Sequence, residues 1–132
     1  DMGIKFGQML ESRPNIKLAV KPQNNIVCFR YISDNILEKD KADYDAFQKT
    51  IAHLDEYEQK EEIDRYKSTS DILNQKVLDR FVDDGTYYLS SAPVFQRLYL
   101  RVTFMNPFTD EIVLNEIIEK VEEYGKDEES KI

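Results

Sequence analysis

The residue best suited to chemistry in this sequence is an arginine in the middle of an apolar strand. In "LYLRVTFMNP" (98–107), period-two alternation puts Leu98, Leu100, Val102 and Phe104 on one face and Tyr99, Arg101, Thr103 and Met105 on the other. The first face is core. Arg101 lies mid-strand, so its charge must meet a partner or a cavity. A planar donor fork on a rigid strand suits recognition of a carboxylate. Taken alone, the residues leave two destinations open for it: a bound carboxylate, or a structural ion pair with one of the 26 acidic side chains of the chain. Arg30, in "NIVCFRYI" (25–32), sits nearer a strand end, where an extended stem can carry its charge to solvent.

The remaining inventory is short. His53 is the single histidine, flanked by Ala52 and Leu54 on a charged segment, and it has no second histidine to work with. Cys28 alternates with Ile26 on a strand and reads as a small buried hydrophobe. Glu56, Glu58, Glu61, Glu62 and Asp64 lack the alternating spacing and central glycine of a calcium loop, so they read as a solvated helix face. Four glycines are present, in no arrangement that would cradle a phosphate. The sequence therefore offers no catalytic residue and no metal site. It reads as a binding module or as part of something larger.

Bulk properties exclude several partners. A net charge of −8 provides no basic stripe for a nucleic-acid backbone and no attraction to anionic lipid. No apolar run approaches a membrane span, and the N-terminus lacks a signal-peptide pattern. One cysteine precludes an internal disulfide and fits a cytoplasmic setting. A chain of 132 residues is one domain, able to bury roughly two-thirds of its unfolded surface.

The elements that must position Arg101 follow a mixed order. Met2, Phe6, Met9 and Leu10 share a helical face, and that helix starts without a lead-in, as if the chain began mid-architecture. "IKLAV" (16–20) and "NIVCFRYI" form strands around a turn at 22–24, and so short a turn predicts antiparallel neighbours. Residues 33–67 are dense in charge. Tyr44, Phe47, Ile51 and Leu54 predict one helix from Asp43 to Tyr66, packed along its first three turns. "STSD" (68–71) caps a helix carrying Leu73, Val77 and Phe81, with Ile72, Leu78 and Val82 alongside, and Gly85 stops it. "TYYLSS" (86–91) and the Arg101 strand follow, on either side of Ala92 and Pro93. Thr109 is the expected N-cap of the last helix, with Phe108 and Val113 as its staple. Ile112, Val113, Ile117, Val121 and Tyr124 form its expected stripe, Gly125 its stop, and 126–132 a flexible acidic tail.

Three stretches together resemble a known family. "NNIVCFRY", "DDGTYYLSS" after a helix, and "LYLRVTFMNPFTDEIVLNEIIEKV" resemble the C-terminal small domain of group II pyridoxal-phosphate-dependent amino-acid decarboxylases. The resemblance runs from about Met2 to Tyr124, and its wording is nearest the bacterial L-2,4-diaminobutyrate branch. The glutamate and aromatic-amino-acid enzymes are relatives. It departs at about 37–67, where the family has a shorter link. In that family the Schiff-base lysine follows a histidine in the large domain, and no His-Lys pair occurs here. The resemblance thus implies that pyridoxal 5'-phosphate belongs to the full-length enzyme and is not bound by this part alone. It further implies that the arginine of the "LR" pair, here Arg101, contacts the substrate α-carboxylate and holds the scissile bond upright against the cofactor ring.

The expected fold class is α+β: an antiparallel sheet of three or four strands with helices mainly on one face. Residues 1–125 form the small domain, with a charged helical insertion at about 37–67. The implied partners are the chain's own large domain, the second subunit of a homodimer and an amino-acid substrate, with no nucleic acid and no membrane. A free-standing ferredoxin-like regulatory or protein-interaction domain is the alternative from another class. A non-decarboxylating enzyme of the same cofactor fold is a third.

Overall fold

The computed structural model describes residues 2–22, 25–94, 97–104 and 109–132. In chain order these form α1 (Met2–Glu11), β1 (Ile16–Leu18), β2 (Ile26–Tyr31), α2 (Asp34–Ile51), α3 (Glu56–Arg65), α4 (Thr69–Asp84), β3 (Ser90–Val94), β4 (Arg97–Thr103) and α5 (Glu111–Glu129). The four strands make one antiparallel sheet in the order β1-β2-β4-β3. The fold is α+β, as the residue pattern predicts.

One face of the sheet is the core. Val27, Phe29 and Tyr31 of β2 and Leu100 and Val102 of β4, with Phe104 just beyond, are buried on it. Helices α1, α4 and α5 close over them with Phe6, Leu10, Leu73, Val77, Phe81, Leu114, Ile118 and Val121. Phe6 meets Phe29 and Phe104 edge-on, with ring centroids 5.7 and 5.1 Å apart. Leu98 is only half-buried, because β4 starts at the margin of the sheet.

The sheet opens at one end. Beyond Phe29–Leu100, β2 and β4 no longer pair, and α4 supplies the missing partners. Asn74, fully buried, accepts from the Tyr31 backbone N–H at 2.8 Å and donates to its carbonyl at 2.9 Å. The Asp71 carboxylate accepts from the Leu98 N–H at 2.9 Å and from the Ser68 N–H at 3.1 Å. A helix side chain thus does for each strand what the neighbouring strand does elsewhere. The Ser68–Asp71 capping box starts α4, and Gly85, at φ 73°, ends it in the left-handed region.

Several boundaries differ from the sequence reading. The single helix expected over 43–66 is two, because each has its own cap. The Ser33 hydroxyl accepts from the Ile36 N–H and starts α2 early, while Asp55 accepts from the Glu58 N–H and restarts the chain after a break. No residue of α3 is buried, yet Tyr66 just after it stacks on Phe47 with centroids 4.3 Å apart. β3 begins at Ser90 rather than Thr86 and runs through Ala92 and Pro93; as an edge strand it tolerates a proline. Asp110, not Thr109, caps α5, and the buried stripe shifts accordingly to Leu114, Ile117, Ile118, Val121, Tyr124 and Glu128. Ile112, expected in the stripe of α5, is exposed, and so are Ile72 and Val82, read as lying alongside the apolar face of α4.

Gly125 does not stop α5. A Cβ there would lie 2.5 Å from the Tyr31 ring, so glycine permits helix and strand to approach, and the helix continues to Glu129. Arg80 pairs with Asp127 and Glu128 at 2.7 and 3.2 Å, and Ser33 donates to Glu129. The staple residue Phe108, Met105 of the strand pattern and most of the turn at 22–24 lie outside the described residues.

Replacing Asn74 with leucine keeps the volume and leaves the Tyr31 N–H and C=O unpaired in the core. Urea unfolding should show a loss of about 2–4 kcal/mol, whereas Gln75→Leu, one exposed residue along, should change stability by less than about 0.5 kcal/mol.

Candidate functional site

The face opposite the core carries the candidate residue. Register places Ile26, Cys28 and Arg30 of β2 on it beside Thr103, Arg101, Tyr99 and Arg97 of β4, then Ser90, Ala92 and Val94 of β3. Lys17 of β1 pairs with Arg30 and joins the same side. The strands contribute four cations to this face and no carboxylate, on a chain whose net charge is −8.

Arg101 stands at the centre of one cross-strand row, between Cys28 and Ser90. Its side chain is exposed. Its Nε donates to the Ser90 hydroxyl at 3.2 Å. Among the described residues no carboxylate forms an ion pair with it. The strand therefore holds a guanidinium whose terminal nitrogens are not committed to a carboxylate among the described residues. Cys28 does not supply the counter-charge. Burial pushes its thiol above the ordinary range, and the nearby Arg101 only partly offsets that. The thiol is half-buried on the open face, rather than enclosed as the sequence predicts.

Arg30 does not reach for solvent, contrary to the sequence reading. Its NH1 donates to the Ser70 hydroxyl at 3.2 Å, its guanidinium lies over the Tyr99 ring at 5.4 Å from the centroid, and its Nε is buried without a partner among the described residues. The opening of the sheet at Tyr31 brings the start of α4 within its range. Tyr99 is pinned by this contact and forms a wall one cross-strand row from Arg101. Arg97, at the far end of the face, lies over Tyr44 and Tyr66, so the charged helices dock at that end of the sheet. Ser90 carries no signal of its own in the sequence, and the cap that marks the start of α4 gives no hint that Ser70 meets Arg30 on this face. Ser90 could have been found only with the β3–β4 register in hand.

The other candidates are placed apart. His53 is exposed in the turn between α2 and α3, and the acidic set of α3 lies mostly in solvent. Among the described residues no cluster of His, Cys, Asp or Glu is arranged to hold a metal, and no helix is long and apolar enough to cross a membrane. A cleft of about 610 Å³ lies between α3, α4 and the edge strand, walled by Tyr66, Ile72, Pro93 and Leu98, and does not include Arg101.

Comparison with solved structures gives this geometry a context. One neighbour is the glutamate decarboxylase domain of the diaminobutyrate–pyruvate transaminase and L-2,4-diaminobutyrate decarboxylase from Vibrio parahaemolyticus (TM-score 0.66, 13% identity, 96% of this chain and 20% of that one). Catharanthus roseus tryptophan decarboxylase, solved with L-tryptophan, matches at TM-score 0.63 and 17% identity over 96% of this chain and 21% of that one. Oryza sativa TDC, solved with PLP and tryptamine, matches at 0.60 and 19% over the same shares. The fold is that of a decarboxylase segment. The chain spans about a fifth of the length of these solved chains. No family model and no curated protein matches its sequence.

Among the described residues, the sheet face shows no built site for pyridoxal phosphate. The lysine that the described strands place on this face, Lys17, lies on β1, two strands away from Arg101, and Gly85, the described glycine at positive φ, lies at the end of α4 away from the sheet face. Mixing the chain with micromolar cofactor should therefore leave the absorbance spectrum of free pyridoxal phosphate unchanged; a new band in the internal-aldimine region would show that a lysine here is competent to hold it.

Proposed function

We propose that this chain is the C-terminal small domain of a pyridoxal-phosphate-dependent amino-acid decarboxylase, and that Arg101 holds the α-carboxylate of its substrate. The observation that carries this reading is the exposed guanidinium at the centre of the sheet face opposite the core, with no ion pair among the described residues. An internal ion pair was the rival destination for that charge, and none of the resolved contacts provides one. The likeness in fold to decarboxylases five times as long supports a role as one part of a larger protein.

In this reading residues 1–125 are the domain proper, with the helices at about 37–67 as an insertion. The open face turns toward a large domain that binds the cofactor, and the enzyme works in the cytoplasm as a homodimer. The carboxylate that leaves as carbon dioxide must be held in one orientation, which a two-toothed contact from a strand does better than a mobile ammonium. When bound in that large domain, the cofactor supplies the electron sink. This chain supplies the grip.

In the full-length enzyme, Arg101→Lys should raise KM and lower kcat together, because charge is kept while the fork is lost. Arg101→Ala should lower kcat/KM by roughly 10²–10³-fold. Cofactor binding should survive both changes, since its anchors lie in the large domain, and the melting temperature of this chain alone should not move, since the side chain is exposed here. A variant that melts earlier but keeps wild-type kcat/KM would make Arg101 a scaffold residue.

A further inference from the structure

Ser90 lies on the edge strand directly opposite Arg101, and its half-buried hydroxyl accepts the Arg101 Nε–H at 3.2 Å. A guanidinium can offer a carboxylate either of two edges, the Nε side or the pair of terminal nitrogens. With Nε–H engaged by Ser90, the side-on edge is closed and the terminal pair is the one available. The same bond tethers a long, exposed side chain that would otherwise sample many rotamers on an open face. Across the strand on the other side, Cys28 offers a thiol that burial keeps protonated, so it does not compete for the charge.

We propose that Ser90 is a positioning residue: it fixes Arg101 so that the terminal NH1 and NH2 groups meet the substrate carboxylate end-on. The inference rests on Arg101 being the carboxylate ligand. It makes the β3–β4 register part of the site, because Ser90 reaches Arg101 as its direct cross-strand partner on the same face. Ser90 touches no reacting atom and acts only through the arginine.

Two measurements test it. In this chain labelled with ¹⁵N-arginine, the Arg101 Nε–H should exchange with water more slowly than in Ser90→Ala, and Ser90→Thr should restore the slow exchange. In the full-length enzyme, Ser90→Ala should lower kcat/KM about three- to tenfold with melting temperature unchanged, Ser90→Thr should stay near wild type, and Ser90→Ala should have no further effect in an Arg101→Ala background. Wild-type kinetics for Ser90→Ala beside a crippled Arg101→Ala would overturn the role of Ser90 and leave the arginine's intact. Equal losses in Ser90→Ala and Ser90→Thr, or losses additive with Arg101→Ala, would also overturn it. If Arg101→Ala itself has normal kcat/KM, the carboxylate reading and the role of Ser90 fall together.

Discussion

Asn74 carries the constraint on which the rest of the architecture depends. Its carboxamide takes both backbone groups of Tyr31, at 2.8 and 2.9 Å, in a place where solvent cannot. Because α4 completes β2 in this way, and β4 through Asp71 and the Leu98 N–H, the two central strands can part without leaving buried donors unpaired. The parting brings the start of α4 up to the open face, where Ser70 meets Arg30. Arg30 then lies over Tyr99, and Tyr99 borders Arg101. A hydrogen bond in the core is thereby linked, through four side chains, to the shape of the surface on the other side of the sheet.

The distribution of charge follows from the same layering. Acidic residues crowd the helices, where solvent screens most of them, and are absent from all four strands. The sheet face is left as a cationic strip on an acidic molecule. Such a strip favours anionic groups at short range even though the long-range field of the chain repels them. The fold buries one sheet face under three helices, and on the other it leaves Arg101 with no ion pair among the described residues.

Much of this was legible in the residues. The alternation in 98–104 placed Leu100, Val102 and Phe104 correctly, and the serine cap at 68 and glycine stop at 85 bounded α4. What escaped were features that depend on tertiary neighbours. Gly125 has the local look of a stop, but it is a contact glycine required by the Tyr31 ring. Arg30 has the stem length to reach solvent, yet the opened sheet gives it Ser70 and Tyr99 instead. The break between α2 and α3 hid inside a continuous charged run, since Asp55 is as ordinary there as any of its acidic neighbours. Ser90 could not be linked to Arg101 before the register of the edge strand was known.

The central claim is that the Arg101 fork is kept free of this chain's own carboxylates so that it can take the substrate's. The most direct measurement is a crystal structure of the full-length protein with an unreactive amino-acid analogue bound. The account predicts NH1 and NH2 of Arg101 at charge-assisted hydrogen-bond distance, about 2.7–2.9 Å, from the two oxygens of the analogue's α-carboxylate, with Nε still on Ser90. An Arg101 paired instead with an aspartate or glutamate of the covering domain, and a carboxylate held elsewhere, would contradict it.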